Sequence, residues 1–410
     1  MKPTPEQLAL VRERLRAAKE NSRLYAEKLR GIDPGDIRSA EDFRALPFTE
    51  KSELRDGCEM GVCACGEEEV VRIHMSSGTT GVPIVIPYTA KDVDDWAEMF
   101  ARCYRMAGLT RRDRVQITPG YGLWTAGIGF QAGCERLGAM AIPIGPGNTE
   151  RQLNILVGMR STVLCATSSY ALLIAEEVER RGLEESVALR KAIIGSECWG
   201  DKMRQRIGSA LHVELYDIYG LTEVYGPGIA ISCGAGDAMH YWDDFLYLEI
   251  IDPATGEVLP DGEMGEIAIT TLRKQAAPLI RYRTHDLSRI LPEPCPCGAN
   301  WPRIARIAGR SDDRIKVRGV NIYPGQILDV LSEVEGVSSE YQVRLSREGG
   351  KDEMALLFEV EPGFDPVRVA EEVARAFRQN VGLRIRTEGV EIGALPRSEK
   401  KTVRVIDQRH

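Results

Sequence analysis

Apolar positions recur along the chain at two periods, and the alternation between them outlines the fold. Leu8, Val11, Leu15, Tyr25 and Leu29 fall on one face of a helix over 5–30, with charged residues on the other. This predicts a packing helix; a coiled-coil seam needs more heptads. From Val70 to about Tyr170, short β-rich runs (115–118, 141–144, 163–166) alternate with helical patterns (90–106, 150–159, 170–181). That spacing predicts parallel α/β layers, continued by strands at 191–194 and 213–216. Between 241 and 290 strands dominate. Runs at 245–251 and 266–271, with turn signals at Asp252-Pro253 and Pro260-Asp261-Gly262, predict a smaller antiparallel sheet or barrel. Beyond a boundary near 309–313 the pattern is α+β. A strand and loop at 315–322 precede a helix over 324–335. Strands around Val343 and Leu356 join through Gly349-Gly350, and a second helix begins at Asp365-Pro366, an N-cap followed by proline at the first helical position. The tail from Leu395 is polar and basic, and there is no internal repeat or low-complexity tract.

Composition narrows the classes. A chain of 410 residues suggests two or three domains with room for a sizeable core. Hydrophobic residues make up 43% and charged residues 28%, the soluble-globular range. A net charge of −8 argues against nucleic-acid binding, which calls for a basic surface. The N-terminus reads without a signal peptide, and no stretch approaches the roughly 18 apolar residues of a membrane span. The ten cysteines therefore read as cytosolic thiols, with metal binding open for some of them, and the expected location is cytoplasmic.

The chemistry concentrates in a few segments. Ser76, Ser77, Gly78, Thr79, Thr80 and Gly81 alternate hydroxyls with glycines. Glycine allows close backbone approach, successive N–H groups form an anion-binding concavity, and hydroxyls add donors. The run suits a polyphosphate such as ATP, although such clusters also occur as plain surface turns. It is not a Walker A loop, because Val82 stands where a lysine would follow the last glycine, so a cation must come from elsewhere. In Asp217-Ile218-Tyr219-Gly220-Leu221-Thr222-Glu223, read as a glycine turn, Glu223 is a natural Mg²⁺ ligand beside phosphates. In 281–286, Asp286 suits a ribose diol; the alternative is an exposed ion-pair cluster. The 309–316 stretch suits a hinge. In 396–401, Lys401 suits a lysine brought to the phosphates by domain closure; the alternative is a solvated basic tail.

In this order, these segments resemble the adenylate-forming superfamily of acyl-CoA synthetases, and most of all its phenylacetate–CoA ligases. The resemblance runs from Leu46-Pro-Phe-Thr-Glu-Lys51 to the C-terminus. Its most specific matches are Ile73–Gly81, Tyr121-Gly122-Leu123, Asp217–Glu223, Ile280–Thr284 with Asp286, and Gly309–Asn321. It implies a large α/β AMP-binding domain over 1–310 with a β-rich subdomain at about 232–310, a hinge near 311–313, and a small mobile α+β lid over 313–410. It also implies a two-step reaction in which a carboxylic acid attacks the α-phosphate of ATP, and CoA then displaces AMP. By motif position Ser76, Ser77, Thr79 and Thr80 would hold the β/γ-phosphates. Thr222 would touch the α-phosphate and Glu223 would bind Mg²⁺. Gly195, Ser196 and Glu197 with Asp217, Ile218 and Tyr219 would frame adenine. Asp286 would bind ribose with Arg310 nearby, Asp312 would be the hinge, and Lys401 the adenylation lysine. Val82 replaces a common lysine, and Lys400 replaces the glycine common before the catalytic lysine; either lysine could serve, and the spacing from Arg397-Ser398 favours Lys401.

The resemblance places the acid pocket near Tyr121, Trp124, Gly127 and Phe130. Aromatic walls there suit an aryl or arylacetic acid; the alternative is that both Trp124 and Phe130 are core. Cys233, His240, Cys295 and Cys297 make a four-ligand zinc set of structural character, against free thiols as the alternative. Cys63 and Cys65 read as an unliganded pair. Two rivals stay open: an adenylyl transferase related to coenzyme F390 synthetase or a carrier-loading enzyme, and a catalytically impaired nucleotide-binding regulator. A homodimer is plausible by base rate and by resemblance.

Overall fold

A computed structural model describes residues 2–55, 59–76, 84–397 and 402–409. The chain divides into two compact units. One is formed by Met1–Gly145 and Tyr216–Ile307, the other by Pro146–Leu215 and Ala308–His410.

The first unit opens with the helix Pro5–Asn21. The Thr4 hydroxyl accepts the Gln7 N–H and the Gln7 side chain returns to the Thr4 N–H, a reciprocal capping box. The single helix expected over 5–30 is in fact two, because Ser22 adopts an extended conformation (φ −91°, ψ 123°) and caps a second helix, Arg23–Lys28. A serine hydroxyl competes with helix continuation by bonding nearby backbone, and here it also donates to the Gly61 carbonyl at 2.8 Å. The Ala90–Met106 helix matches its expected bounds and buries Trp96, Met99, Phe100 and Tyr104. A helix absent from the sequence reading, Thr125–Leu137, packs across it. The packing requires glycine, since a Cβ on Gly133 would sit 2.3 Å from the Phe100 Cβ.

Strands Arg114–Ile117 and Met140–Pro143 pair in parallel. Glu214–Leu221, Gly226–Cys233 and Gly236–Tyr241 form an antiparallel ribbon extended by Arg303–Ile304 and Ile290–Leu291. The expected small antiparallel sheet is present as Leu246–Ile251, Gly265–Thr271 and Tyr282–Ser288. Its first two strands are buried throughout, Glu249 and Glu266 included, and each of these two carboxylates is paired with an arginine.

In the second unit, Val163–Thr167 and Lys191–Gly195 pair in parallel, from Val163 opposite Lys191 to Thr167 opposite Gly195. The helices Thr149–Gly158, Ser168–Arg181 and Asp201–Leu211 surround them over a core that includes Leu164, Leu172, Ile194 and Met203. The C-terminal part is a mixed sheet in the order Arg386–Glu391, Lys351–Val360, Val337–Glu348, Val405–Asp407. Its central hairpin turns at Gly349 and Gly350, with φ of 55° and 79°, the positive values that a two-residue hairpin turn demands. The expected helices run over Pro324–Glu333 and Pro366–Val381. They bury Ile327, Val330, Val373 and Phe377 against Tyr341, Val343 and Phe358. Among the described residues no helix is long and apolar enough to cross a membrane.

Candidate active site

The motif at 217–223 is mostly strand rather than an isolated turn. Asp217, Ile218, Tyr219 and Gly220 lie within Glu214–Leu221, and Thr222 and Glu223 follow its end. The ladder register shifts at Gly220, where a Cβ would sit 2.0 Å from the Gly226 carbonyl oxygen, so only glycine lets the two chains approach this closely. The turn therefore begins one step later than the glycine suggests, closed by the Val224 N–H bonding the Leu221 carbonyl at 3.1 Å.

Beyond that turn, Thr222 Oγ1 is 3.3 Å from Thr125 Oγ1. The Glu223 carboxylate is buried, and Lys51 Nζ lies 2.9 Å from its Oε1. Lys51 closes the 46–51 motif noted in the sequence, yet carried no assigned role there. Its place on the short 3₁₀ turn Lys51–Leu54 brings it to Glu223. One signal pointed to it: the missing lysine at Val82 required a cation from elsewhere.

Asp286 lies on Tyr282–Ser288 and is buried, which removes the exposed ion-pair alternative. Its carboxylate accepts the Tyr219 hydroxyl at 2.7 Å, so an expected adenine neighbour and the expected ribose ligand meet in one unit. His285 beside it has φ 64°, an uncommon conformation for a non-glycine residue. The flanking arginines are structural. Arg281 forms a buried two-point pair with Glu249 at 2.8 and 3.1 Å. Arg283 forms one with Glu266 at 2.9 Å on both arms. Burial raises the Glu266 carboxyl, but bonds from His285 and Arg283 outweigh it and hold it down at about 2.

Ser76 and Ile84 exchange bonds: the Ser76 N–H donates to the Ile84 carbonyl at 3.0 Å, and the Ile84 N–H donates to Ser76 Oγ at 3.1 Å. Ser77, Gly78, Thr79, Thr80 and Gly81 lie outside the described residues, as do Val82, Lys400 and Lys401.

Gly195, Ser196 and Glu197 belong to the second unit. Gly195 ends its strand, and Ser196 has φ 74°, backbone strain of the kind found at functional sites. Glu197 sits at the N-terminus of Ser168–Arg181, where the helix dipole favours an anion. It accepts from Ser168 Oγ (3.0 Å), Ser169 N (3.0 Å), Ser169 Oγ (2.9 Å) and Thr402 N (2.8 Å). Arg397 makes two-point pairs with both Glu176 and Glu359. Arg310 pairs with Asp312 through two contacts of 2.8 Å.

Of the expected acid-pocket residues, the Tyr121 ring lies so close to Gly127 that a Cβ there would be 2.7 Å away. Trp124 precedes the Thr125–Leu137 helix as its N-cap residue. Phe130 is buried with its ring centroid 4.9 Å from that of Phe100, and its carbonyl accepts the Tyr104 hydroxyl, so its ring fills the helix–helix core.

The four expected zinc ligands converge: the donor atoms of Cys233, His240, Cys295 and Cys297 all lie within 4.8 Å of one another. Cys233 and Cys295 sulfurs are 3.5 Å apart, and Cys297 Sγ is 3.4 Å from His240 Nε2. His240 Nδ1 faces the Trp301 carbonyl at 2.9 Å, which fixes the tautomer that leaves Nε2 free to ligate. Burial pushes the Cys295 thiol up, but hydrogen bonds led by the Cys297 backbone, then Cys297, His240 and Cys233, draw it down to about 6. The donor set, geometry and tautomer fit tetrahedral zinc.

The AMP-binding enzyme family matches residues 13–272, and the AMP-binding enzyme C-terminal domain matches 319–409. A phenylacetate-coenzyme A ligase of Pseudomonas putida is 40% identical, covering 98% of this chain and 93% of its own length. One from Escherichia coli strain K12 is 39% identical, covering 97% and 92%. A crystal structure of 2-hydroxyisobutyryl-CoA ligase in the postadenylation state superposes with a TM-score of 0.89 at 27% identity, over 99% of this chain and 90% of that one. With two family matches that span both the large domain and the C-terminal domain, and with near-full-length relatives, the chain belongs to the AMP-binding enzymes, in the group that contains the phenylacetate-coenzyme A ligases.

Proposed function

We propose that this chain is an acid–thiol ligase that joins a carboxylic acid to CoA in two steps. The acid first attacks the α-phosphate of ATP, forming an acyl-adenylate and releasing pyrophosphate. The CoA thiol then displaces AMP. The observation that carries the reading is the pairing of Lys51 with Glu223 in the same unit as Tyr219 with Asp286. One pair suits the phosphates and the other the nucleoside.

The physical difficulty of the first step is bringing one anion to another. Glu223 would hold Mg²⁺, which supplies positive charge against the phosphate oxygens. Lys51 adds a second cation beside that carboxylate and offsets the charge missing at Val82. Thr222 donates to the α-phosphate, and Ser76, Ser77, Thr79 and Thr80 with Gly78 and Gly81 cradle the β/γ-phosphates. Asp286 accepts from the ribose hydroxyls. Gly195, Ser196, Glu197, Asp217 and Ile218 frame adenine, and Arg310 contributes near the ribose. Lys401 neutralises the charge that develops during adenylation. Asp312 serves as the hinge between 1–310 and 313–410, which lets Lys401 withdraw before the thiol enters.

Tyr121, Trp124 and Gly127 wall the acid site, and the rings of Tyr121 and Trp124 favour an aryl or arylacetic acid. The names of the phenylacetate ligases point the same way. Cys233, His240, Cys295 and Cys297 hold a structural zinc that ties the 226–241 hairpin to the loop at 295–297. The test is pyrophosphate release with ATP and Mg²⁺ across aryl, arylacetic and short aliphatic acids, with and without CoA, with Lys401→Ala in parallel. Acid-dependent release that Lys401→Ala abolishes, with AMP release completed only by CoA, is the expected result. No release with any acid would remove the assignment.

A further inference from the structure

We infer that Lys274 is a positioning residue of the adenylation site, which holds the main chain of the 222–225 segment in place from behind through its carbonyl oxygens. Lys274 is completely buried, with 0% exposure. Its Nζ donates to the Val224 carbonyl and, at 3.4 Å, to that of Glu223. The Tyr88 hydroxyl takes the two flanking carbonyls, donating to Tyr225 at 3.0 Å and reaching Thr222 at 3.5 Å. Four consecutive carbonyls thus converge on one ammonium and one phenol. The same four residues carry the Thr222 hydroxyl, which meets Thr125, and the Glu223 carboxylate, which meets Lys51.

Lys274 is itself held firmly. Its ammonium lies 4.2 Å from the Tyr88 ring centroid and 4.9 Å from that of Tyr225, both within cation–π range. The backbone just after it is pinned by Asp92, whose carboxylate accepts the Gln275 N–H at 2.7 Å and the Ala276 N–H at 2.9 Å. Asp92 is fully buried and also accepts the Thr89 N–H that starts the Ala90–Met106 helix. The segment behind Glu223 is therefore tied to the start of the Ala90–Met106 helix.

Burying an ammonium costs several kcal/mol, and a methionine would fill similar space without that cost. The rings of Tyr88 and Tyr225 and the charges of Asp92 and Glu223 help to compensate, but the ammonium's hydrogen bonds go to the Glu223 and Val224 carbonyls, so what the lysine secures is the path of the main chain. A carboxylate that must hold a cation within a few tenths of an ångström needs such support. This inference rests on the assignment of Thr222 and Glu223 to ATP and Mg²⁺.

The test compares Lys274→Met, Tyr88→Phe and Glu223→Gln with the wild type. It reads acid-dependent pyrophosphate release against Mg²⁺, ATP and acid concentration, with thermal melts as the folding control. Lys274→Met is expected to raise half-saturating Mg²⁺ and KM for ATP about 10- to 100-fold while leaving KM for the acid unchanged. Tyr88→Phe is expected to raise the same two quantities less. A merely structural lysine would lower the melting temperature and leave that split unmoved. If Lys274→Met does not fold, Tyr88→Phe decides. Inactive Glu223→Gln beside Mg²⁺ and ATP dependences within about two-fold of wild type in the folded Lys274→Met or Tyr88→Phe enzyme would overturn the inference. A Glu223→Gln enzyme with wild-type Mg²⁺ dependence would overturn the site assignment, and the inference with it.

Discussion

Lys51 Nζ lies 2.9 Å from Glu223 Oε1, and the two side chains differ sharply in exposure, 34% for the lysine and 4% for the carboxylate. The carboxylate is thus the desolvated partner and the lysine the adjustable one. Removing Lys51 leaves a buried anion without its ion-pair partner, whereas removing Glu223 leaves a lysine that can reach water. Lys51→Met is expected to lower kcat/KM for ATP about 10²- to 10³-fold, the scale of losing one donor to developing charge. Steady-state kinetics at saturating acid measure it. The same variant's melting temperature should rise with added Mg²⁺ more than the wild type's, because the metal ion replaces the lost cation at Glu223.

The cysteine–histidine cluster predicts about one zinc per chain in purified protein, measured by elemental analysis. Cys297 is its most exposed member. Cys297→Ser is expected to hold zinc at least about ten-fold more weakly, and chelation should lower the melting temperature of the wild type toward that of the variant. Pyrophosphate release below the melting range should persist, since the site lies on structural hairpins.

Gly220 separates Tyr219 from Thr222 where two strands approach too closely for any side chain. With a Cβ 2.0 Å from the Gly226 carbonyl oxygen, Gly220→Ala must push the backbone apart. A loss of at least about 3 kcal/mol is expected, visible in urea unfolding or as failure to accumulate soluble protein. Wild-type stability in this variant would show that the register shift is not as described.

His74 supplies a pH dependence. Its ring is buried and lies edge-on to Tyr88 and Trp96, and burial lowers its pKa to about 4 from 6.5, with the Leu123 carbonyl only partly opposing this. A depressed histidine pKa means that the unfolded chain takes up the proton first. Stability at this residue is therefore complete above about pH 6.5 and falls as pH drops toward 4, by about 2 kcal/mol at pH 5. Urea unfolding of wild type and His74→Gln at pH 7 and pH 5 measures it. The wild type should lose about 2 kcal/mol more than the variant between those values.

Several elements were legible because local chemistry and tertiary packing agree. Thr89 with Asp92, and Asp365 with Pro366, start the helices Ala90–Met106 and Pro366–Val381 where the sequence places them. The failures have local causes too. Ser22 splits the first helix because its hydroxyl finds Gly61 and its backbone turns away. Thr125–Leu137 escapes notice because Gly127, Gly129 and Gly133 are poor helix formers; close packing against Trp96 and Phe100 makes the helix. Phe130 shows the same limit at the site, since its ring type suits a pocket wall and a core equally, and only the contact with Phe100 distinguishes them.

By itself, the order of residues determined the chemical inventory: a hydroxyl-rich loop, a threonine–glutamate step, an aspartate among arginines, a terminal lysine and four soft metal ligands. Periodicity and caps also determined most of the elements that carry them. Tertiary structure alone decided which charges became neighbours. Lys51 with Glu223, Tyr219 with Asp286, and Lys274 with the carbonyls of Glu223 and Val224 join residues far apart in the chain. The reason is physical. Coulomb and hydrogen-bond energies depend on distance and desolvation, and both are set by the packing of the whole unit rather than by separation along the chain.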